Sequence, residues 1–423
     1  MTHTDFQPDG NPWTPARERW LLLTLAAVQF TTVLDFLIII PLAPQYMEVF
    51  HITTRQFQMI VGAYGLSAGL AGLLAGFFLD RFDRKQALIW LYGGFALGTL
   101  FCALAPTYYL LVAARFVAGA FGGVCGTTIL SIVGDVIPME RRGRAMGMVM
   151  SAFSVASIVG VPAGLYGADY ISWHVPFFAI AALSTVVLTI AAIITPPLRA
   201  HFQHAHEEHP VARTWAVITN PDHQKAYVFM AALTCAGFCI FPYVPIYMIK
   251  NVGLTEFQLP LLYIFGGLCT VFSLNWVGRW ADRSGKLKVF VWTSLSTAVP
   301  ILLMTNLGHV SVALALAVST LLWICMSARM VPAMALMTGA VEARYRGGFM
   351  SINSAVQQFS MGLTSLLSGL IIGQGPNGEM THFAINGFIA IACAYTCIYL
   401  ARFLKVPAAT EKVPDEPMVM EAL

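Results

Sequence analysis

Asp35 and Arg115 are ionisable side chains set in stretches that are otherwise apolar. Burial favours a neutral carboxyl group and a nearby guanidinium favours the carboxylate. A pair of this kind can therefore take up and release a proton as the distance between its members changes. The plainer reading is a static buried ion pair that ties two segments together. Asp35 lies fifteen residues beyond Trp20, about 22 Å along a helix, and Arg115 lies about 10 Å below the far end of its own segment. Both reach a similar depth in a hydrocarbon layer about 30 Å thick. Arg329 is a third charge of this type, and no acid stands at the place equivalent to Asp35 in its half of the chain. Three roles are open to it: attracting an anionic substrate, pairing with Asp35, or binding a carbonyl at a helix end. Asn353 and Gln357 are four apart and share a helix face. They can hydrogen-bond a substrate or act as interhelical glue.

These groups need elements that hold them in lipid. The chain has 423 residues, 57% hydrophobic and 11% charged, with a mean hydropathy of +0.71. A soluble domain carries about 25% charged residues. Several apolar runs exceed the roughly 20 residues that cross a bilayer, and lipid leaves helices as the way to satisfy their backbones. Twelve spans are expected, at 19–47, 56–80, 86–105, 108–132, 143–168, 173–195, 224–249, 257–281, 287–306, 311–337, 345–372 and 380–403. The first run is too long for a signal peptide and is read as a retained span. All eight cysteines fall inside spans and read as packing residues.

The chain also repeats itself. Gly76, Asp80, Arg81, Arg84 and Lys85 form a charged turn between two apolar runs. Gly278, Asp282, Arg283 and Lys286 echo that turn about 200 positions later. Glu140, Arg142 and Arg144 map onto Glu342, Arg344 and Arg346, and Pro41 and Pro44 map onto Pro242 and Pro245. The expected organisation is an N-terminal tail at 1–18, a six-helix bundle at 19–195, a linker at 196–223, a second bundle at 224–404 and a C-terminal tail at 405–423.

Of the 24 Lys and Arg residues, two fall within spans, two fall in loops on one side (Arg55 and Lys250), and the remaining twenty fall with the termini, linker and charged turns. By the positive-inside rule that side is cytoplasmic, so both termini are expected inside the cell, in an inner membrane. The net charge of +3 is then a matter of topology and implies no nucleic-acid partner. His201, His204, His206 and His209 in the linker fit no metal-site spacing and read as solvated. Gly62, Gly65, Gly69, Gly72 and Gly76 line one side of span 2 and should let another helix approach closely.

Taken together, these residues resemble the major facilitator superfamily across nearly the whole chain. Gly76, Asp80, Arg81, Arg84 and Lys85 look like its loop 2–3 signature, and Gly278, Asp282, Arg283, Gly285 and Lys286 like the second-half copy. Three features look like the drug:proton antiporter branch: Asp35 in span 1, Leu111, Arg115 and Gly119 in span 4, and Gly160, Pro162 and Gly164 in span 5. The sequence departs from these patterns at three positions. Asp83 stands where the loop signature usually has Gly, a position expected to need a left-handed backbone. Val161 separates Gly160 from Pro162, and His174 follows Trp173 where Arg is common.

The resemblance implies an all-α membrane protein of two pseudo-symmetric six-helix bundles, with spans 1 and 4 together at a central cavity. It implies that Asp35 binds the proton and Arg115 tunes it, and that Asp80, Arg84 and Asp135 form a cytoplasmic latch. No nucleotide loop, catalytic triad or zinc template is present, so no enzyme activity, cofactor or metal is expected. The expected function is proton-coupled efflux of small amphipathic compounds by a monomer working by alternating access. The runner-up is a carrier of an anionic metabolite led by Arg115 and Arg329.

Overall fold

The computed structural model of the chain describes residues 15–196, 198, 210–342, 345–376 and 378–404. Both tails and the histidine-rich part of the linker lie outside the described residues, as do Arg344 and the side chain of Glu140. Among the described residues, eleven helices are long and apolar enough to cross a membrane: Ala16–Ile38, Thr54–Phe78, Arg84–Leu104, Tyr108–Val136, Arg141–Tyr170, His174–Ile194, Pro221–Val252, Glu256–Ser284, Lys286–Thr305, Val312–Gly339 and Phe383–Ala401. These are spans 1 to 10 and span 12. Span 11 is Arg346–Gly369, equally long. Its Asn353, Gln357, Gln358 and serines make it too polar to count by hydropathy. The strands among the described residues form a two-stranded antiparallel hairpin, Gly373–Gln374 with Met380–Thr381. Both backbone groups of Met380 bond the side chain of Asn251, at 2.9 Å each.

Proline sets where the spans break. A proline lacks the N–H that the carbonyl four residues earlier would accept, and its ring crowds that carbonyl. The first segment of span 7 ends at Phe238, four residues before Pro242. That of span 9 ends at Ser296, four before Pro300. Span 10 is interrupted at Ala328, four before Pro332. In span 5, Ile158 stands in the same relation to Pro162, and there the ladder widens into a π-turn, Ala156–Gly160. Span 1 stops at Ile38, ahead of Pro41 and Pro44.

The first charged turn has a different geometry from the one expected. Asp83 takes φ −57° and ψ 126°, not a left-handed conformation. Its Oδ1 accepts from the Lys85 N–H at 2.9 Å and from the Leu198 N–H at 3.1 Å. The carboxylate thus caps span 3, and capping selects this backbone geometry. The aligned residue in the second turn, Gly285, does have positive φ, at +89°.

Spans 1–6 and 7–12 meet chiefly along spans 2 and 11. A Cβ added at Gly65 would lie 2.7 Å from the Gly362 nitrogen, and one at Gly69 would lie 2.6 Å from the Phe359 nitrogen. Gly62 faces Leu366 and Gly72 faces Ala355. The glycine stripe therefore runs against span 11 for most of its length. Spans 5 and 8 also meet, with Ile158 against Gly267.

On the face opposite the charged turns the two groups are joined. Gln45 Nε2 donates to Asp169 at 2.5 Å and to Glu256 at 3.2 Å. Tyr170 packs on Phe257 with ring centroids 5.7 Å apart. On the charged-turn face, the helix Pro210–Thr219 leads into span 7. Its Thr214 hydroxyl donates to the Gly76 carbonyl at 2.9 Å. Its Val217 is buried in a cluster with Tyr227 and Phe349.

Candidate functional site

The centre of the first half is a buried ion pair. Arg115 Nη1 donates to Asp35 Oδ2 at 2.7 Å, and both side chains are fully buried. The same nitrogen reaches the Asp35 carbonyl at 3.4 Å. Thr99 donates its hydroxyl to the other carboxylate oxygen at 3.1 Å. The Arg115 guanidinium carbon lies 4.3 Å from the centroid of the Tyr64 ring, a cation–π contact. Spans 1, 2, 3 and 4 each contribute one group.

Small residues make this convergence possible. A Cβ at Gly98 would lie 2.7 Å from the Ala118 nitrogen, so span 3 comes close enough to span 4 to bring Thr99 to Asp35. Gly119, one turn beyond Arg115, admits the backbone of Tyr64, and this seats the aromatic ring over the guanidinium. Gly160 and Gly164 let span 5 close on Leu34 and Ile38 of span 1. Pro162 is buried beside them. The span 4 and span 5 patterns therefore have a packing role around the pair.

Phe36 and Tyr64 separate the pair from the second half. Phe36 touches Tyr64 at 5.6 Å and Phe238 of span 7 at 6.2 Å between ring centroids. Tyr64 shares a cluster with Met361 of span 11. A movement of the halves at this seam reaches the ion pair through a single layer of rings. Thr99 is the member of the site that sequence reasoning missed. Nothing marks one threonine among many in apolar spans. Tyr64 is one aromatic residue among many in the spans, and nothing in the sequence singles it out.

Arg329 does not pair with Asp35. Its Nη2 donates to the Leu233 carbonyl of span 7 at 3.2 Å, while Nε and Nη1 have no partner among the described residues. Asn353 is buried, its Oδ1 without a partner among the described residues, and Gln357 is half-buried.

Of the gate residues, Arg84 and Asp135 form an ion pair at 3.1 Å. Both belong to the first half, so this bond braces spans 3 and 4 and does not by itself join the halves. Gly76 is tied to the linker helix, its carbonyl accepting from the Thr214 hydroxyl. Asp80 lies in the turn Leu79–Arg81, its side chain outside the described ones, and Arg81 is exposed. Asp282 and Arg283 are exposed as well, and a Cβ added at Gly278 would come within 4.0 Å of the Val331 side chain.

Proline-broken membrane helices, two groups packed along a glycine seam and a buried charge pair beside that seam define a class: helical membrane transporters for small molecules. The chain belongs to the Major Facilitator Superfamily, whose sequence model matches residues 25–275 and 227–418. Similar proteins include two transporters of this type from Bacillus subtilis, both described as uncharacterized. YwfA is 25% identical over 361 residues, 82% of this chain and 85% of YwfA. YceJ is 25% identical over 280 residues, 64% and 68% of the two chains. A vacuolar membrane amino acid uptake transporter of Schizosaccharomyces pombe, fnx2, is 35% identical over 115 residues, 27% of this chain and 20% of fnx2. Among solved structures, a bacterial homolog of the human lysosomal transporter Spinster, in an inward-facing and occupied conformation, superimposes with TM-score 0.67. It has 15% identity, over 93% of this chain and 95% of that one.

Proposed function

We propose that this transporter exports small amphipathic compounds in exchange for protons, in a cell's inner membrane with both termini in the cytoplasm. The observation that carries the proposal is the Asp35–Arg115 pair, fully buried one layer behind the seam between the halves. A proton placed on Asp35 Oδ2 removes the charge-assisted bond to Arg115. Proton binding is thereby linked to the packing of spans 1 and 4, and through Phe36 and Tyr64 to the seam. An equilibrium between two states a few kcal/mol apart needs no larger bias than this. The joined face at Gln45 and Glu256 is the outer gate, closed in this conformation. The halves rock about the glycine seam to open it.

The account is tested in proteoliposomes under an imposed pH gradient. The wild type is expected to accumulate substrate against its gradient, and Asp35→Asn is expected to move it only downhill. Gradient-driven accumulation by Asp35→Asn would sink the proposal. The runner-up, carriage of an anion by Arg115 and Arg329, keeps one of its two residues, because Asp35 already neutralises Arg115.

A further inference from the structure

We infer that Arg329 is an anion-binding site and that the transported compound carries an anionic group of the carboxylate or sulfonate type. The inference rests on the transport reading above but not on its proton coupling.

Arg329 is 2% exposed, among the most buried large side chains in the protein. A guanidinium withdrawn from water is strongly unfavourable unless a counter-charge and hydrogen bonds replace its hydration. Arg115 has both, from Asp35. Arg329 has neither in full. Among the described residues no carboxylate lies within ion-pairing distance of it, and its one hydrogen bond goes to the Leu233 carbonyl. Among the described residues, the titratable groups within its electrostatic reach are the thiols of Cys397 and Cys393 in span 12. Neutral thiols do not balance the charge.

The surroundings favour a ligand over a structural clamp. Arg329 sits at the break that Pro332 makes in span 10, between Val312–Ala328 and Met330–Gly339. A clamp at that break would bond the carbonyls the proline frees, but the side chain reaches away to span 7. There it lies beside Gly237, whose ideal Cβ position is 3.8 Å from Nη2. Interrupted helices near mid-membrane are where transporters place polar substrate groups. Nη2 carries two N–H groups and gives one to Leu233; the other shares an edge of the planar guanidinium with an unpartnered nitrogen, Nε or Nη1, and such an edge donates to a two-oxygen anion. An anionic head with an apolar body suits the apolar helices on either side.

The experiment follows thermal unfolding of the purified full chain with three naphthalene probes of similar size. They are naphthalene-2-sulfonate, the neutral sulfonamide and the trimethylammonium derivative. The sulfonate is expected to raise Tm, and the other two are not. Arg329→Gln is expected to need about tenfold more sulfonate for the same rise, the loss of one charge-assisted contact. Arg329→Lys is expected to retain part of the response. The inference fails if the sulfonate leaves the wild type unmoved, if the cation acts equally, or if Arg329→Gln responds as the wild type does. Should Arg329→Gln not fold, the three-probe comparison on the wild type and Arg329→Lys decides. If Asp35→Asn accumulates substrate under the gradient while the sulfonate response holds, proton coupling falls and the anion site stands.

Discussion

Gln58 of span 2 lies directly under Gly369 of span 11, where an ideal Cβ would be 3.1 Å from the Gln58 Cβ. The Gln58 side chain is fully buried, and neither end of its amide has a partner among the described residues. Beside it, Tyr243 bonds Ser368 at 2.7 Å and leaves the amide alone. In the proposed cycle this seam belongs to the outer gate, and closing that gate strips the Gln58 amide of water.

An unpartnered buried amide costs about 1–3 kcal/mol, and about 1.4 kcal/mol is tenfold in a population. Gln58→Leu should remove that penalty and shift the protein towards outer closure by about tenfold or more. Labelling of a cysteine at Met361, in a background free of native cysteines, by a membrane-impermeant reagent measures this. Slower labelling in Gln58→Leu is expected. Unchanged labelling would mean that the amide is satisfied in the closed state.

The glycine seam makes a sharper prediction about two positions on span 2. A Cβ at Gly65 meets the Gly362 backbone at 2.7 Å, whereas one at Gly76 meets only a Thr214 methyl at 3.8 Å. Gly65→Ala should cost about 1–3 kcal/mol of helix packing and cut transport. Gly76→Ala should be tolerated. Parallel flux and thermal-unfolding measurements on the two variants decide it. Equal effects would contradict the packing argument.

Asp83 is a cap. Asp83→Ala should lower stability by about 0.5–2 kcal/mol and Asp83→Asn by less, because an amide oxygen still accepts from the Lys85 N–H. Asp83→Gly should not outdo Asp83→Asn, because the backbone there has no positive φ to relieve. Thermal unfolding ranks the three.

If the substrate is an anion exchanged for protons, its exit and proton entry both carry positive charge inward. Each elementary charge is worth about 2.3 kcal/mol per 100 mV. Part of the driving force is thus electrical: an inside-negative potassium diffusion potential should accelerate export from proteoliposomes at zero pH gradient, and collapsing it should abolish the gain. Indifference to the potential would rule out net charge movement in that direction.

The sequence carried the large features well, for physical reasons. Intramembrane charge is costly and therefore conspicuous, so Asp35 and Arg115 could be matched by depth alone. Glycines at helical spacing disclosed the face of span 2, although nothing in one chain says that span 11 is what it meets. Local repetition was a poorer guide to contacts. Arg84 is paired, while the second charged turn is exposed, because the position that maps from Asp135 is Met337. Asp83 shows the same limit: its capping partners include Leu198, which is distant in the chain. Thr99 and Gln58 carry no local signal, since their roles arise only when helices are brought together.

The most direct test is the proton-driven flux of Asp35→Asn beside the wild type, in proteoliposomes of one orientation with equal protein content. The account predicts that a pH gradient drives uphill transport in the wild type, and that the variant exchanges substrate downhill without responding to the gradient. Uphill, gradient-dependent transport by Asp35→Asn would contradict it.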